Sequence, residues 1–195
     1  MTTLSPQAEE NLRQGFKHFN RFMLLIWRLG LGPWLNCWPE VGGRIMVLTH
    51  TGRKTGLRRR TPVNYSLVAG EIYCTAGFGS LSDWYRNILA NPQVEVWLPD
   101  GWWTGIAQEV DNPHLRLPLL RQVLIDSGFA ARMFGINPHT IGDQDLETIT
   151  ANYRLIHIRR CAARTGPQGP GDLAWVWPLS TILLLPLVLM RRKRK

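Results

Sequence analysis

The chain has 195 residues, with 23 Lys and Arg against 14 Asp and Glu, a formal charge of +9. A hydrophobic content of 45% with 19% charged residues excludes disorder for the bulk of the chain, and the length suits one ordinary domain. Five positive charges fall at Arg53, Lys54, Arg58, Arg59 and Arg60, and five more at Arg191, Arg192, Lys193, Arg194 and Lys195. Thirteen bases and fourteen acids remain, too balanced for the broad basic footprint of a duplex-DNA reader, and no nucleic-acid partner is expected.

Ser5-Pro6 reads as a helix start, and apolar residues recur in steps of three and four from Leu12 to Trp27, predicting a helix over 7–29. Its polar side carries Arg13, Lys17, Arg21 and Arg28. Glu9 and Glu10, with no apolar run before residue 22, do not read as a secretory signal. Residues 29–39 are broken by Gly and Pro and rich in Trp, and form a loop. Residues 1–40 thus make an amphipathic N-terminal unit, packed on the domain or lying on a membrane surface.

Short strands follow. Residues 44–49 are apolar, 61–69 and 71–76 form a hairpin, and 93–98 alternate into the turn Pro99-Asp100-Gly101 before a partner strand at 102–110. Between them, 82–92 reads as a short helix capped by Ser82 and stopped by Asn91-Pro92. Helices are predicted over 111–125 and 143–151, and a last strand over 153–159. Hairpins without a βαβ repeat point to an α+β protein: a small antiparallel barrel with flanking helices, over residues 41–161.

Residues 162–172 read as a Gly/Pro linker. Residues 173–190 are uncharged, begin with two Trp and precede the basic terminus. As a helix they would rise about 27 Å, just short of a ~30 Å hydrocarbon core. Residues 173–195 are expected to associate with a membrane, as a proline-bent tail whose terminal bases meet anionic lipid. The alternative is a hydrophobic strap packed on the barrel. The cysteines at 37, 74 and 161 have no metal-ligand spacing, and neither a metal nor a disulfide is expected.

The loop between the first two strands brackets Arg53-Lys54-Thr55 with Gly52 and Gly56, an arrangement suited to an anionic group. The GxxxxGK[ST] spacing of a Walker loop is absent. Thr51-Gly-Arg-Lys-Thr-Gly, then Arg59-Arg60-Thr61-Pro62, Gly70-x-x-Tyr73, Ala76-Gly77-x-Gly79, Asp83-Trp84-Tyr85-Arg86-Asn87 and Ala90-Asn91-Pro92 closely resemble the deazaflavin-dependent nitroreductase family over roughly residues 40–160. The resemblance implies a split antiparallel β-barrel of the FMN-binding, pyridoxamine-phosphate-oxidase-like kind. It also implies a coenzyme F420-dependent reductase that passes a hydride to a quinone-like, nitro or unsaturated lipid acceptor, with FMN as the less favoured coenzyme.

By that resemblance, Arg53, Lys54 and Thr55 hold the coenzyme's phosphate and the start of its glutamyl tail. Arg59, Arg60, Thr61, Pro62, Val63 and Asn64 run along the ribityl chain and ring. Ala76, Gly77, Phe78 and Gly79 contact phosphate or ring through backbone N–H groups. Asp83, Trp84, Tyr85, Arg86 and Asn87 close the site, Trp84 and Asn87 facing inward. No catalytic side chain is required, and His50 beside the loop reads as structural.

In a better-known branch of the family a lysine stands where Phe78 is, and a tyrosine-rich segment covers the substrate. Here residues 114–141 contain no Tyr, and Phe129 and Phe134 are the substrate-pocket candidates. An apolar pocket favours a lipidic acceptor, menaquinone among them. The barrel has to stay with its coenzyme, so the protein is expected on the cytoplasmic side of the membrane, associated through its tail. A deazaflavin- or flavin-storage protein without turnover is the alternative from another class.

Overall fold

Apolar residues two apart, repeated on six segments, close a barrel. The computed structural model describes residues 6–133 and 135–192, so Ser5 and Phe134 lie outside the described residues. The strands are β1 (Ile45–Thr51), β2 (Arg58–Val68), β3 (Glu71–Ala76), β4 (Gln93–Leu98), β5 (Gly101–Glu109) and β6 (Arg154–Ala163). They pair antiparallel in the closed order β1-β2-β3-β6-β5-β4. One face of each strand fills the interior, with Met46, Leu48, Tyr65, Ile72, Val96 and Ile156 among the buried residues.

β2 is the longest strand at 11 residues, because each end serves a different neighbour. Residues 58–64 pair with β1, His50 opposite Arg59 and Leu48 opposite Thr61, while residues 65–68 pair with β3. The sequence reading began this strand at 61, since three consecutive arginines resemble a loop; their backbones are nonetheless in the ladder. β6 likewise runs to Ala163, four residues past its predicted end, because Trp103 of β5 pairs with Ala163 beyond an irregularity near Gly105. The β2–β3 hairpin turns on Ala69 and Gly70, both at positive φ (52° and 83°), the handedness that matches strand twist in a two-residue turn.

Helix α1 (Pro6–Arg28) packs its last turns, through Leu24 and Trp27, on the outer face of β1, β4 and β5. Trp27, only 1% exposed, packs there with Val47, Trp97 and Trp102. This second layer explains why β1 is buried on both faces instead of alternating. The Trp-rich stretch after α1 holds two short helical turns, α2 (Gly32–Leu35) and α3 (Pro39–Gly42). Gly32 passes so close over Trp27 that a Cβ there would meet the indole at 2.2 Å.

Helix α4 (Asp83–Ala90) contributes Tyr85 and Ile88 to the barrel core. Ser82 occupies its N-cap position, but its side chain makes no cap hydrogen bond; Asp83 in the first turn complements the helix dipole instead. Helix α5 (Pro113–Asp126) is capped by Asn112, whose side chain accepts from the His114 N–H. With α6 (Phe129–Met133), which the sequence reading missed, and α7 (Asp143–Ile149), it encloses a small second core around Leu120, Leu124, Ile136 and Leu146.

Residues 164–175 lie against the barrel. Gln168 accepts from Arg60 through its carbonyl, and a Cβ on Gly169 would meet the Trp102 ring at 2.7 Å. The Gly171 N–H donates to the Trp27 carbonyl, and Asp172 takes a bidentate bond from Arg28 at 2.9 Å. Helix α8 (Val176–Arg192) follows, with Pro178 in its first turn, where its missing N–H removes no helical bond. Among the described residues, no helix is long and apolar enough to cross a membrane.

Candidate functional site

The loop from Gly52 to Leu57 is a tight basic turn. The Gly52 N–H donates to the Leu57 carbonyl, and the N–H groups of Thr55 and Gly56 both donate to the Gly52 carbonyl. Gly56 sits at φ 66°, which lets the chain reverse into β2. A Cβ on Gly52 would lie 2.9 Å from Thr55 Oγ1 and 3.0 Å from Arg59 Nε, so a side chain there would crowd the turn.

The turn is fastened to α4. Asn87, only 3% exposed, accepts through Oδ1 from the Arg53 N–H and from Arg53 Nη1, both at 3.0 Å. Arg53 Nη1 also reaches Asp83 Oδ1 at 3.1 Å. The other amide end of Asn87 points at His50 Nδ1 (3.2 Å), and His50 Nε2 lies 3.2 Å from Thr61 Oγ1. His50 is 3% exposed. Burial, then the positive charge of Arg59, pushes its pKa down from 6.5 to about 4, so the ring is neutral near pH 7.

A groove of about 560 Å³ opens beside this network. One wall is β2, from Arg59 to Asn64. The 3₁₀ turn Gly79–Leu81 and α4 give the second, with Phe78, Leu81, Asp83, Trp84 and Asn87. The third comes from the end of α5 and the segment after it, through Leu124, Ser127, Ala131 and Ile136. Tyr153 and Gly77 also line it, and Phe19 and Asn20 of α1 stand at its edge. A Cβ on Gly77 would lie 3.8 Å from Tyr153 Cζ, so the phenol ring stands beside Gly77, whose backbone stays exposed.

The structure divides the sequence candidates by direction. Arg59, Thr61, Pro62, Val63, Asn64, Gly77, Phe78, Asp83, Trp84 and Asn87 line the groove, and Arg53 stands beside it through Asn87 and Asp83. Lys54 and Thr55 are exposed on the turn. Arg60 also borders the groove, but its guanidinium stacks on Trp97 at 4.8 Å and donates to Gln168. Arg58 pairs with Glu95, which also takes Arg164 and the Trp102 indole N–H (3.1 Å). Of the five loop cations, Arg53 is thus held by Asp83 and Asn87 at the groove's edge, while Lys54 and Arg59 extend from the turn and the start of β2. Among the described residues, neither Lys54 nor Arg59 pairs with a carboxylate.

Ala76 and Tyr85 belong to the barrel core, Tyr85 donating to Glu109 at 2.5 Å. Gly79 is buried at φ 52°, where a Cβ would strike the Asn152 carbonyl at 2.2 Å. The Arg86 Nε donates to the Ser80 carbonyl. Phe129 is exposed and does not line the groove. Sequence reasoning missed Tyr153, Ser127, Ile136 and Phe19. It expected a pocket without phenols, yet Tyr153, just before β6, supplies one; burial raises its pKa above the usual value.

The sequence model of the F420H(2)-dependent quinone reductase family matches residues 34–130, from the Trp-rich turn through the basic loop and α4 to α6. The chain belongs to this family. It is a deazaflavin-dependent oxidoreductase whose cofactor is coenzyme F420. Among solved structures it is similar to an F420-H2 dependent reductase, FDR-A, at 21% identity and TM-score 0.42, covering 60% of this chain and 94% of that one. A conserved hypothetical protein from Mycobacterium tuberculosis matches at 17% identity and TM-score 0.45, over 69% of this chain and 79% of that one. A pyridoxamine 5'-phosphate oxidase-like protein from Listeria innocua matches at 12% and TM-score 0.44, over 62% and 86%.

Proposed function

We propose that this F420-dependent reductase uses the groove to hold its coenzyme beside a quinone-like or unsaturated lipid acceptor drawn from a membrane surface. The observation that carries the coenzyme assignment is the clip between Asn87 and Arg53, which fixes a cationic turn at the edge of an otherwise largely apolar groove. The donor set fits an anionic coenzyme rich in acceptor oxygens. Arg53, Lys54 and Arg59 bring positive charge, and Gly77 leaves backbone open to close approach. Trp84 and Phe78 supply apolar surface for a flat ring.

When bound, the coenzyme supplies the hydride, and the chain positions it and excludes water. Arg53, Lys54 and Arg59 would hold the phosphate and tail, Trp84 and Phe78 would bound the ring, and Ile136, Leu124 and Tyr153 would shape the acceptor's side of the groove. The test follows deazaflavin absorbance when protein, reduced coenzyme and menaquinone are mixed. Oxidation above background is the expected result, and tight binding with none would leave only a storage role. Arg53→Ala with Lys54→Ala is expected to weaken coenzyme binding roughly tenfold to hundredfold, at one to two charge-assisted hydrogen bonds lost. Folding should be affected far less, since Lys54 is exposed and Asn87 keeps the bond from the Arg53 backbone N–H. Unchanged affinity would refute the loop assignment.

Access from a membrane is supported by where the exposed apolar residues stand. Phe19, at the groove's edge, continues along α1 to exposed Phe22 and Leu25. Trp175 just before α8 and Ile182 and Leu183 within it are exposed, and the segment is tied to the end of α1 by Arg28–Asp172 and by the Trp177 indole N–H on the Leu29 carbonyl. We place the protein on the cytoplasmic face of the membrane, with α1 and α8 lying on the lipid surface. Ile182→Asp with Leu183→Asp should reduce co-sedimentation with anionic phospholipid vesicles and leave coenzyme binding unchanged. Undiminished co-sedimentation would sink the surface-anchoring reading.

A further inference from the structure

The buried polar atoms at the head of the groove have only one consistent arrangement of protons. Asn87 Oδ1 receives two N–H groups from Arg53, so it is the carbonyl end of the amide. Its Nδ2 is therefore a donor, and the atom 3.2 Å away, His50 Nδ1, must accept. A neutral imidazole that accepts at Nδ1 carries its proton on Nε2. That proton points at Thr61 Oγ1, 3.2 Å away. Thr61 Oγ1 is thereby an acceptor toward His50, and its own O–H must donate elsewhere. Among the described residues His50 is the one partner of that hydroxyl, and Thr61 lines the groove.

We propose that Asn87 and His50 act as positioning residues that fix the Thr61 hydroxyl as a hydrogen-bond donor to a carbonyl-type oxygen of a ligand in the groove. Both His50 and Asn87 are 3% exposed, so water does not offer the ring an alternative partner. Low dielectric makes the chain stiff: reversing Thr61 would require turning the histidine proton to Nδ1, against the Asn87 donor. The same chain starts at Arg53, so the cationic turn and the Thr61 donor are set by one network. The carbonyl recognised belongs either to the coenzyme's ring system or to the hydride acceptor. The inference rests on the groove being the coenzyme site, but the proton arrangement is a property of the ligand-free protein.

Long-range proton–nitrogen correlation on ¹⁵N-histidine protein, free of ligand at pH 7, reads the tautomer directly. His50 is identified by the signal lost in His50→Gln. The expected result is a proton on Nε2 alone, and an Nδ1–H or doubly protonated ring would overturn the proposal. The second arm compares Thr61→Val with Thr61→Ser by fluorescence titration of oxidised coenzyme and by steady-state reduction of a quinone. A roughly tenfold loss of coenzyme affinity in the valine variant, restored by serine, assigns the carbonyl to the coenzyme. Unchanged coenzyme affinity with about a tenfold loss of kcat/KM for the quinone, again restored by serine, assigns it to the acceptor. If valine changes neither, the proposal is wrong.

Glutamine at position 50 can accept from Asn87 and donate to Thr61, whereas leucine can do neither. His50→Gln is expected to keep both readouts, and His50→Leu to match Thr61→Val. Equal behaviour of the two His50 variants would also overturn the proposal. Should His50→Leu fail to fold, the Thr61 pair still decides. A wild-type protein that binds no coenzyme would defeat the groove assignment while leaving the tautomer measurement to judge the network.

Discussion

Trp27→Ala is expected to destabilise the protein by about 3–5 kcal/mol, the range for removing a large aromatic from a packed core. Trp27 is almost completely buried against Val47, Trp97 and Trp102, with the backbone of Gly32 lying directly over its ring. Its carbonyl also receives the Gly171 N–H at 3.0 Å. One residue thus joins α1, the outer face of the barrel and the segment leading to α8. Its indole N–H is buried without a partner among the described residues, so the variant regains a little of what it loses. The loss would still be a large fraction of the stability of an ordinary domain, about 5–15 kcal/mol. Urea titration measures it, and limited proteolysis adds a spatial reading. Cleavage should appear early both in α1 and in residues 164–175, because both are fastened at Trp27. The barrel interior is a separate cluster and should hold its strands together. A loss below about 1 kcal/mol would mean that α1 is not part of the folded core.

The barrel was legible because a strand with one face in the core must alternate, as β3 does throughout and β4 does from Gln93 to Val96. Strands were shortened where charge masked the pattern. Arg58 to Arg60 lay before the predicted start of β2 and Arg160 just past the predicted end of β6, yet their backbones pair in those strands. A count of charges also says nothing of direction. Arg59 and Arg60 are neighbours in sequence and part company in space, since successive strand residues point to opposite faces. The Arg59 side meets the groove, and the Arg60 guanidinium meets Trp97. Applied to β2, that period would have divided the cluster from the sequence alone. No local signal could have placed Tyr153 beside Gly77 or Asn87 against His50, because each contact joins segments far apart in the chain. Residues 162–172 looked like a linker by composition. They lie along the barrel because Gly169 and Gly171 let the backbone approach Trp102 and Trp27.

Acid should weaken the fold through His50 before the general titration of carboxylates completes. In the folded protein the ring titrates near pH 4, held down by burial and by Arg59 of β2, with Asp83 of α4 opposing them. In the unfolded chain it titrates near 6.5. The native state therefore binds fewer protons than the unfolded state between these values, and stability must fall as pH falls through that window. Well above pH 6.5 His50 contributes no pH dependence. Below it the loss grows toward about 1.4 kcal/mol per pH unit and reaches on the order of 3 kcal/mol by pH 4. Asn87 and Thr61 face the ring and do not titrate, so they cannot offset the effect. The difference between wild type and His50→Gln isolates this contribution from the carboxylates, which titrate in both. The two proteins are expected to differ by a constant amount above pH 7, and the glutamine variant should gain on wild type steadily from pH 6.5 to 4. Parallel urea-denaturation free energies across that window would show that His50 accepts its proton as readily folded as unfolded, and the neutral, Nε2-protonated ring that orders Thr61 would lose its physical basis.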